Sequence, residues 1–280
     1  MTRVAGIFAF FFLPTVCLAA GKPATGFVDK SFLNADCSRS PYVVFVPRDY
    51  DGTKEYPVIL FLHGSGETKG GSKMPVEVGI GPAIRARENT FPFITVFPQS
   101  ENRTWRAASQ DGYRAMAILD EVMKEYKTDP RRVYLTGLSM GGSGTWSLAA
   151  EYPYRWAAIA PVCGRAKLTD AAKINAIPCW CFHGEADLAV PVRNSREMIE
   201  ALKNFGAAPK YTEYPKVGHN SWDMAYGTNE LYTWFLEQKN FRTPLADTTC
   251  LPVTCGSISD RVIPCEGIRR FIFFRRAGCR

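Results

Sequence analysis

Short unbroken apolar runs alternate with stretches in which apolar residues recur every three or four positions, from about residue 40 to residue 241. The runs Pro41–Val46, Tyr56–Leu62, Phe93–Phe97, Trp156–Val162, Pro178–Phe182 and Lys210–Tyr214 predict strands, and Arg131–Leu138, built on Val133-Tyr134-Leu135, predicts another. Tyr113, Met116, Leu119, Val122, Met123 and Tyr126 share one helical face, as do Met198, Ile199, Leu202 and Phe205. Met140–Tyr152 and Leu231–Phe241 predict two further helices, the last closing the fold. Asp51-Gly52 between the first two strands is a hairpin-type turn, so the sheet is expected to open antiparallel. Runs apolar on every residue are buried on both faces, and their alternation with helices predicts an α/β fold with a mostly parallel central sheet and helices on both faces.

Composition sets the limits of that fold. Residues 21–243 suffice for one hydrophobic core, with no repeat or low-complexity linker dividing them, so a single catalytic domain is expected. Residues 1–20 carry Arg3, an apolar stretch from Val4 to Val16 and small residues at Ala19 and Ala20, which predicts a secretory signal cleaved after one of those alanines. A mature chain in the periplasm or outside the cell follows, with no stable membrane insertion after cleavage. The net charge of +7 owes much to six arginines in the last twenty residues, and no basic stripe interleaved with aromatics points to nucleic acid. Apart from Cys17, eight cysteines remain. Cys179 and Cys181 fall on one face of a strand as core thiols, and Cys250, Cys255, Cys265 and Cys279 crowd the tail 244–280, where disulfides are expected without a deducible pairing. No cysteine or histidine spacing suits a metal, and no cofactor is expected.

Candidate chemistry lies where predicted strands end. Gly137-Leu138-Ser139-Met140-Gly141 places a serine between two glycines just after an apolar run and just before a helix, the pattern of a nucleophile elbow. With only three histidines in the chain, few bases are available. His63 ends the run Pro57–Leu62 at a glycine turn and reads as architectural, and His183 ends Pro178–Phe182 as a strand-end histidine bonded to backbone. His219, in Val217-Gly218-His219-Asn220, is left as the proton carrier. Asp187, in the loop before Val190-Pro191-Val192, can orient it; Glu185 and Asp223 are rival carboxylates close in sequence.

The segments FLHGSGE, GLSMGG, FHGEAD and GHNSW, in this order and spacing, resemble the serine esterases of the α/β-hydrolase superfamily, whose fold uses the same chain order of serine, acid and histidine. The similarity is to the phospholipase/carboxylesterase and dienelactone-hydrolase-like groups and to secreted polyhydroxybutyrate-depolymerase or feruloyl-esterase-like enzymes, over about residues 40 to 241. Dienelactone hydrolases carry a cysteine nucleophile where this chain has Ser139, which argues against lactone cleavage of their kind. The resemblance implies Ser139 as nucleophile, His219 as general base and then acid, Asp187 as the residue orienting it, and the backbone N–H groups of Ser65 and Met140 as the oxyanion hole. It also implies a small-molecule or polymer-attached ester as substrate.

Trp105, in the loop after Phe97-Pro98-Gln99-Ser100, and Trp222, three residues past His219, are candidates for the substrate pocket. The segment between Ala160 and Asp187 is too short for a large lid, which favours soluble or polymer-attached esters over bulk lipid. Two other functions share these residues: a peptidase of the prolyl-oligopeptidase type, which lacks its propeller here, and a non-catalytic carbohydrate-binding protein.

Overall fold

The computed structural model describes residues 23–69 and 74–242, and the expected signal segment 1–20 and tail 244–280 lie outside them. Eight strands form one sheet: β1 (Gly26–Leu33), β2 (Arg39–Val46), β3 (Tyr56–Leu62), β4 (Ile94–Pro98), β5 (Thr128–Leu138), β6 (Ala158–Val162), β7 (Trp180–Gly184) and β8 (Lys210–Tyr214). Their spatial order is β1-β2-β4-β3-β5-β6-β7-β8, antiparallel from β1 through β2 to β4 and parallel from β4 to β8. This is the α/β-hydrolase arrangement.

The sheet does open antiparallel, but not through the expected hairpin of β2 with β3. β1, whose partly exposed residues left no apolar run to read, makes that hairpin with β2, and β4 separates β2 from β3. The physical reason is burial: all seven residues of β3 are buried, which requires a strand on either side of it, and β4 and β5 supply both in parallel. The Asp51-Gly52 bend is a local turn in a longer connection, where the Asp51 carboxylate accepts bonds from the Thr53 N–H at 2.8 Å and the Thr53 hydroxyl at 2.7 Å.

Among the described residues seven α-helices cover the sheet: α1 (Ile80–Arg85), α2 (Gln110–Glu125), α3 (Met140–Glu151), α4 (Ala171–Ile174), α5 (Arg193–Asn204), α6 (Trp222–Gly227) and α7 (Asn229–Glu237). Two apolar cores result, one on each face. Ala115, Ile118, Leu119 and Val122 of α2, with Trp146 and Leu148 of α3 and Met198 and Leu202 of α5, pack on one face. Ile80 and Ile84 of α1 and Tyr226, Leu231 and Phe235 of α6 and α7 pack on the other, where the Phe235 ring stacks on Tyr134 of β5 with centroids 4.7 Å apart. Each buried aromatic or aliphatic side chain of this kind contributes about 1.5–3 kcal/mol. The closing helix ends at Glu237, short of Phe241, which is exposed. Among the described residues no helix is long and apolar enough to cross a membrane.

Candidate active site

At the carboxyl end of β5 the chain turns straight into α3, and the turn falls on Ser139, held at φ 54° and ψ −112°. A non-glycine residue pays steric strain in that region, so the surroundings must hold it there. The Ser139 N–H donates to Val162 O of β6 at 2.9 Å, and the start of α3 presses against the end of β3. A Cβ at Gly141 would stand 1.8 Å from Leu62 O, and one at Gly137 would stand 2.5 Å from Gly141 O, so the approach requires glycine at both flanks. The serine side chain is thereby left half-exposed at the top of the sheet.

His219 and Asp187 come to it from the loops after β8 and β7. The Ser139 hydroxyl lies 2.9 Å from His219 Nε2, and His219 Nδ1 lies 2.7 Å from Asp187 Oδ2. Asp187 Oδ1 accepts the N–H groups of Ala189 at 2.9 Å and Val190 at 2.8 Å, which pins the carboxylate so that Oδ2 faces the imidazole. With Nδ1–H donating to Asp187, Nε2 is free to accept the serine proton. The rival carboxylates point elsewhere. Glu185 accepts the Lys216 N–H at 2.9 Å, and exposed Asp223 accepts from Asn220 Nδ2 at 3.4 Å.

A second serine-histidine chain ends on the same aspartate. The Ser195 hydroxyl of α5 lies 2.7 Å from His183 Nδ1, while His183 Nε2 lies 2.8 Å from Val190 O and 3.2 Å from Asp187 Oδ2. Both Ser195 and His183 are wholly buried, so no substrate reaches either oxygen or ring. Burial also pushes the His183 pKa down, keeping the ring neutral with Nε2–H donating to Val190 and Asp187. This chain therefore braces the Asp187 loop from behind.

His63 is likewise buried and structural. Its Nε2 accepts the Ser100 N–H at 2.9 Å, its Nδ1 donates to Gly64 O at 2.6 Å, and burial drops its pKa to about 4. Trp105 packs edge-on against that ring and donates its indole N–H to His63 O at 2.9 Å. At 2 % exposure Trp105 offers a substrate no surface, so its expected place on a pocket wall is corrected to the core under α3. Trp222, half-buried, stands edge-on to the His219 ring with centroids 5.3 Å apart, beside the reactive groups.

Ser65 opens a single turn of 3-10 helix, Ser65–Glu67, and Met140 opens α3, positions whose N–H groups have no acceptor inside their own helix. The two segments abut, since a Cβ at Gly64 would meet the Leu138 side chain at 2.8 Å.

Two contributors escaped sequence reasoning. Asp111, buried in α2, gathers Ser100 Oγ at 2.6 Å, the N–H groups of Glu101 and Asn102, and Arg114 at 2.8 Å, and so shapes the loop above His63. Cys163, at φ 42° just past β6, brings its thiol near Asp187 and His219, with one ligand atom of each of the three within 4.8 Å of the others. Burial pushes that thiol up to about 12, and Asp187 and His219 already bond each other, so the trio forms the back wall of the site and is poorly suited to a cation. The only local signal was a cysteine-glycine pair at a strand end.

The profile of the dienelactone hydrolase family matches residues 35–223. A bifunctional acetylxylan esterase/xylanase of Neocallimastix patriciarum is 29% identical over 152 residues, covering 51% of this chain and 21% of that enzyme. A "probable feruloyl esterase C" of Aspergillus niger is 25% identical over 185 residues, 65% of this chain and 67% of its own. The crystal structure of a thermostable esterase superposes with a TM-score of 0.70 at 31% identity, over 76% of this chain and 63% of that one. The chain thus spans only about a fifth of the first relative's length and under two thirds of the thermostable esterase's.

Proposed function

The chain belongs to the dienelactone hydrolase family, and from that premise we propose that it is a serine hydrolase of carboxylic esters working through a covalent acyl-enzyme. What carries the proposal is one geometric fact: an accessible, backbone-strained Ser139 hydroxyl 2.9 Å from the free nitrogen of an imidazole whose other nitrogen is held by a buried carboxylate. A serine hydroxyl is a weak nucleophile at neutral pH. As Ser139 Oγ attacks the acyl carbon, His219 Nε2 takes its proton, and Asp187 stabilises the imidazolium so formed. The N–H groups of Met140 and Ser65 bind the developing oxyanion, at about 3–4 kcal/mol per donor. His219 then returns the proton to the leaving alkoxide, and a water repeats the sequence on the acyl-enzyme to release the acid.

Residues 21–243 are taken as the catalytic domain and the first twenty as an export signal, which N-terminal sequencing of the mature protein would check. Substrates are inferred to be esters on plant-polymer or similar chains, since relatives are named for acetylxylan and feruloyl esters, with Trp222 contacting the acyl group. The discriminating experiment is labelling with a fluorophosphonate probe alongside hydrolysis of p-nitrophenyl acetate. Wild type is expected to do both and Ser139→Ala neither, with a rate loss of at least about 10⁴-fold. An unlabelled wild type would sink the proposal in favour of a non-catalytic binding protein, and a preference for peptide substrates would favour a peptidase.

A further inference from the structure

A cleft of about 600 Å³ begins one helical turn from the nucleophile. Ser143 lies on its wall, accepting the Arg165 N–H at 2.8 Å on the same hydroxyl that reaches 3.3 Å from Ser139 O. Trp146 and Ser147 of α3, Arg106 before α2, and Arg165 and Lys167 beyond β6 complete this near part. Arg106 also borders a neighbouring groove that carries Arg103.

The charges around this cleft are unbalanced. Lys173 at its far end is paired with Asp170 at 3.5 Å, and the remaining carboxylate, Glu151, sits at the last residue of α3. Arg103, Arg106, Arg165 and Lys167 are all exposed, and among the described residues none of them forms an ion pair. Elsewhere among the described residues paired cations, such as Lys30 with Glu125, Lys54 with Asp49 and Arg196 with Glu213, stand beside unpaired ones, and what sets this place apart is the gathering of unpaired cations around one concavity near the nucleophile. Three unpaired cations on one concavity, with Arg103 in the groove beside it, raise the local concentration of anions and bind them at low ionic strength.

We propose that this cleft is a subsite for the carboxylate-bearing sugar units of an acidic polysaccharide, so that the ester at Ser139 is one carried on a uronate-containing chain. This rests on the ester-hydrolase function above and narrows its substrate class. Guanidinium groups suit carboxylates because two N–H donors match the two oxygens. Nucleic acid fits less well: the cations are not interleaved with exposed aromatic rings on which bases would stack, the one tryptophan of the cleft being buried.

The test compares partly acetylated polygalacturonate with acetylated glucomannan, a neutral polymer carrying the same ester, each kcat/KM divided by that of the same protein on p-nitrophenyl acetate. Wild type is expected to favour the acidic polymer about tenfold at low salt, and the preference should vanish near 0.5 M salt, where the Debye length falls to about 4 Å. A triple variant Arg103→Gln, Arg106→Gln, Lys167→Gln is expected to abolish the preference. A control triple of equal charge loss, Lys124→Gln, Lys127→Gln, Lys239→Gln, lies around the amino end of β5, at the other end of that strand from Ser139, and should keep it. Equal rates on the two polymers, or equal loss in the two triple variants, would overturn the subsite. Should p-nitrophenyl acetate survive untouched, the esterase function itself falls, and retardation in gels containing de-esterified polygalacturonate still tests the cleft. Retardation by DNA as strong as by polygalacturonate would count against it.

Discussion

Asp187 is the residue on which two histidines converge, and its two oxygens do different work. Oδ1 takes two backbone N–H groups and Oδ2 takes His219 at 2.7 Å and His183 at 3.2 Å. Asp187→Asn is expected to lower kcat by about 10⁴-fold with the fold intact, because an amide cannot hold the tautomer that frees Nε2. Ser195→Ala should leave ester hydrolysis within about threefold of wild type while costing about 1–3 kcal/mol of stability, since it strands His183 Nδ1 without its hydroxyl partner. Full activity in Asp187→Asn would remove Asp187 from the catalytic set, and inactivity in folded Ser195→Ala would give the buried chain a catalytic part. The buried histidines also set a pH dependence. His63, neutral in the fold with a pKa of about 4 against 6.5 when unfolded, favours the unfolded chain as soon as that chain can protonate. Stability is full above pH 6.5, falls as pH drops through the window to about 4, and loses about 3 kcal/mol from this residue. His183 shifts in the same direction. Chemical denaturation between pH 4 and 7 would read this slope, and a flat profile would contradict it.

At the scale of elements, the site depends on how closely α3 packs against the ends of β3 and β6. Adding one methyl in Gly141→Ala drives Cβ into the Leu62 and His63 carbonyls, at 1.8 and 2.8 Å, which are backbone and cannot step aside. That variant is expected to lose several kcal/mol or fail to fold, and any folded fraction to lose activity, since the same shift carries the Met140 N–H away from Ser139. Thermal melting with activity per folded molecule would check it. Most of these elements were legible beforehand because fully buried strands are apolar on every residue. β1 was not, its exposed alternate residues looking like loop, and α4 and α6 were too short for a periodicity to show. The true neighbour of β3 was also hidden, because a turn residue such as Gly52 signals a bend and carries no information on which strand lies alongside.

The described residues form one sheet with an apolar layer on each face, and the free cysteines among them report on it as a unit. Cys163, Cys179 and Cys181 are buried thiols, their pKa values raised by desolvation. None is expected to react with iodoacetamide in the native state, and Cys179 and Cys181, which belong to one core, should become reactive together on unfolding, as peptide mapping would show. Reaction of either in the native protein would mean that β7 opens locally. The amino-acid sequence by itself determined the strand-ends, the order of Ser139, Asp187 and His219 along them, and the elimination of other bases, because burial and backbone strain leave marks on the residues that bear them. Tertiary structure alone decided that Asp187 serves two histidines, that Trp105 lies under the site and not in it, that Cys163 stands beside Asp187 and His219, and that three unpaired cations line one cleft with a fourth in the groove beside it. Those are properties of pairs distant along the chain, brought within a few ångströms by packing, and no single segment records its partners.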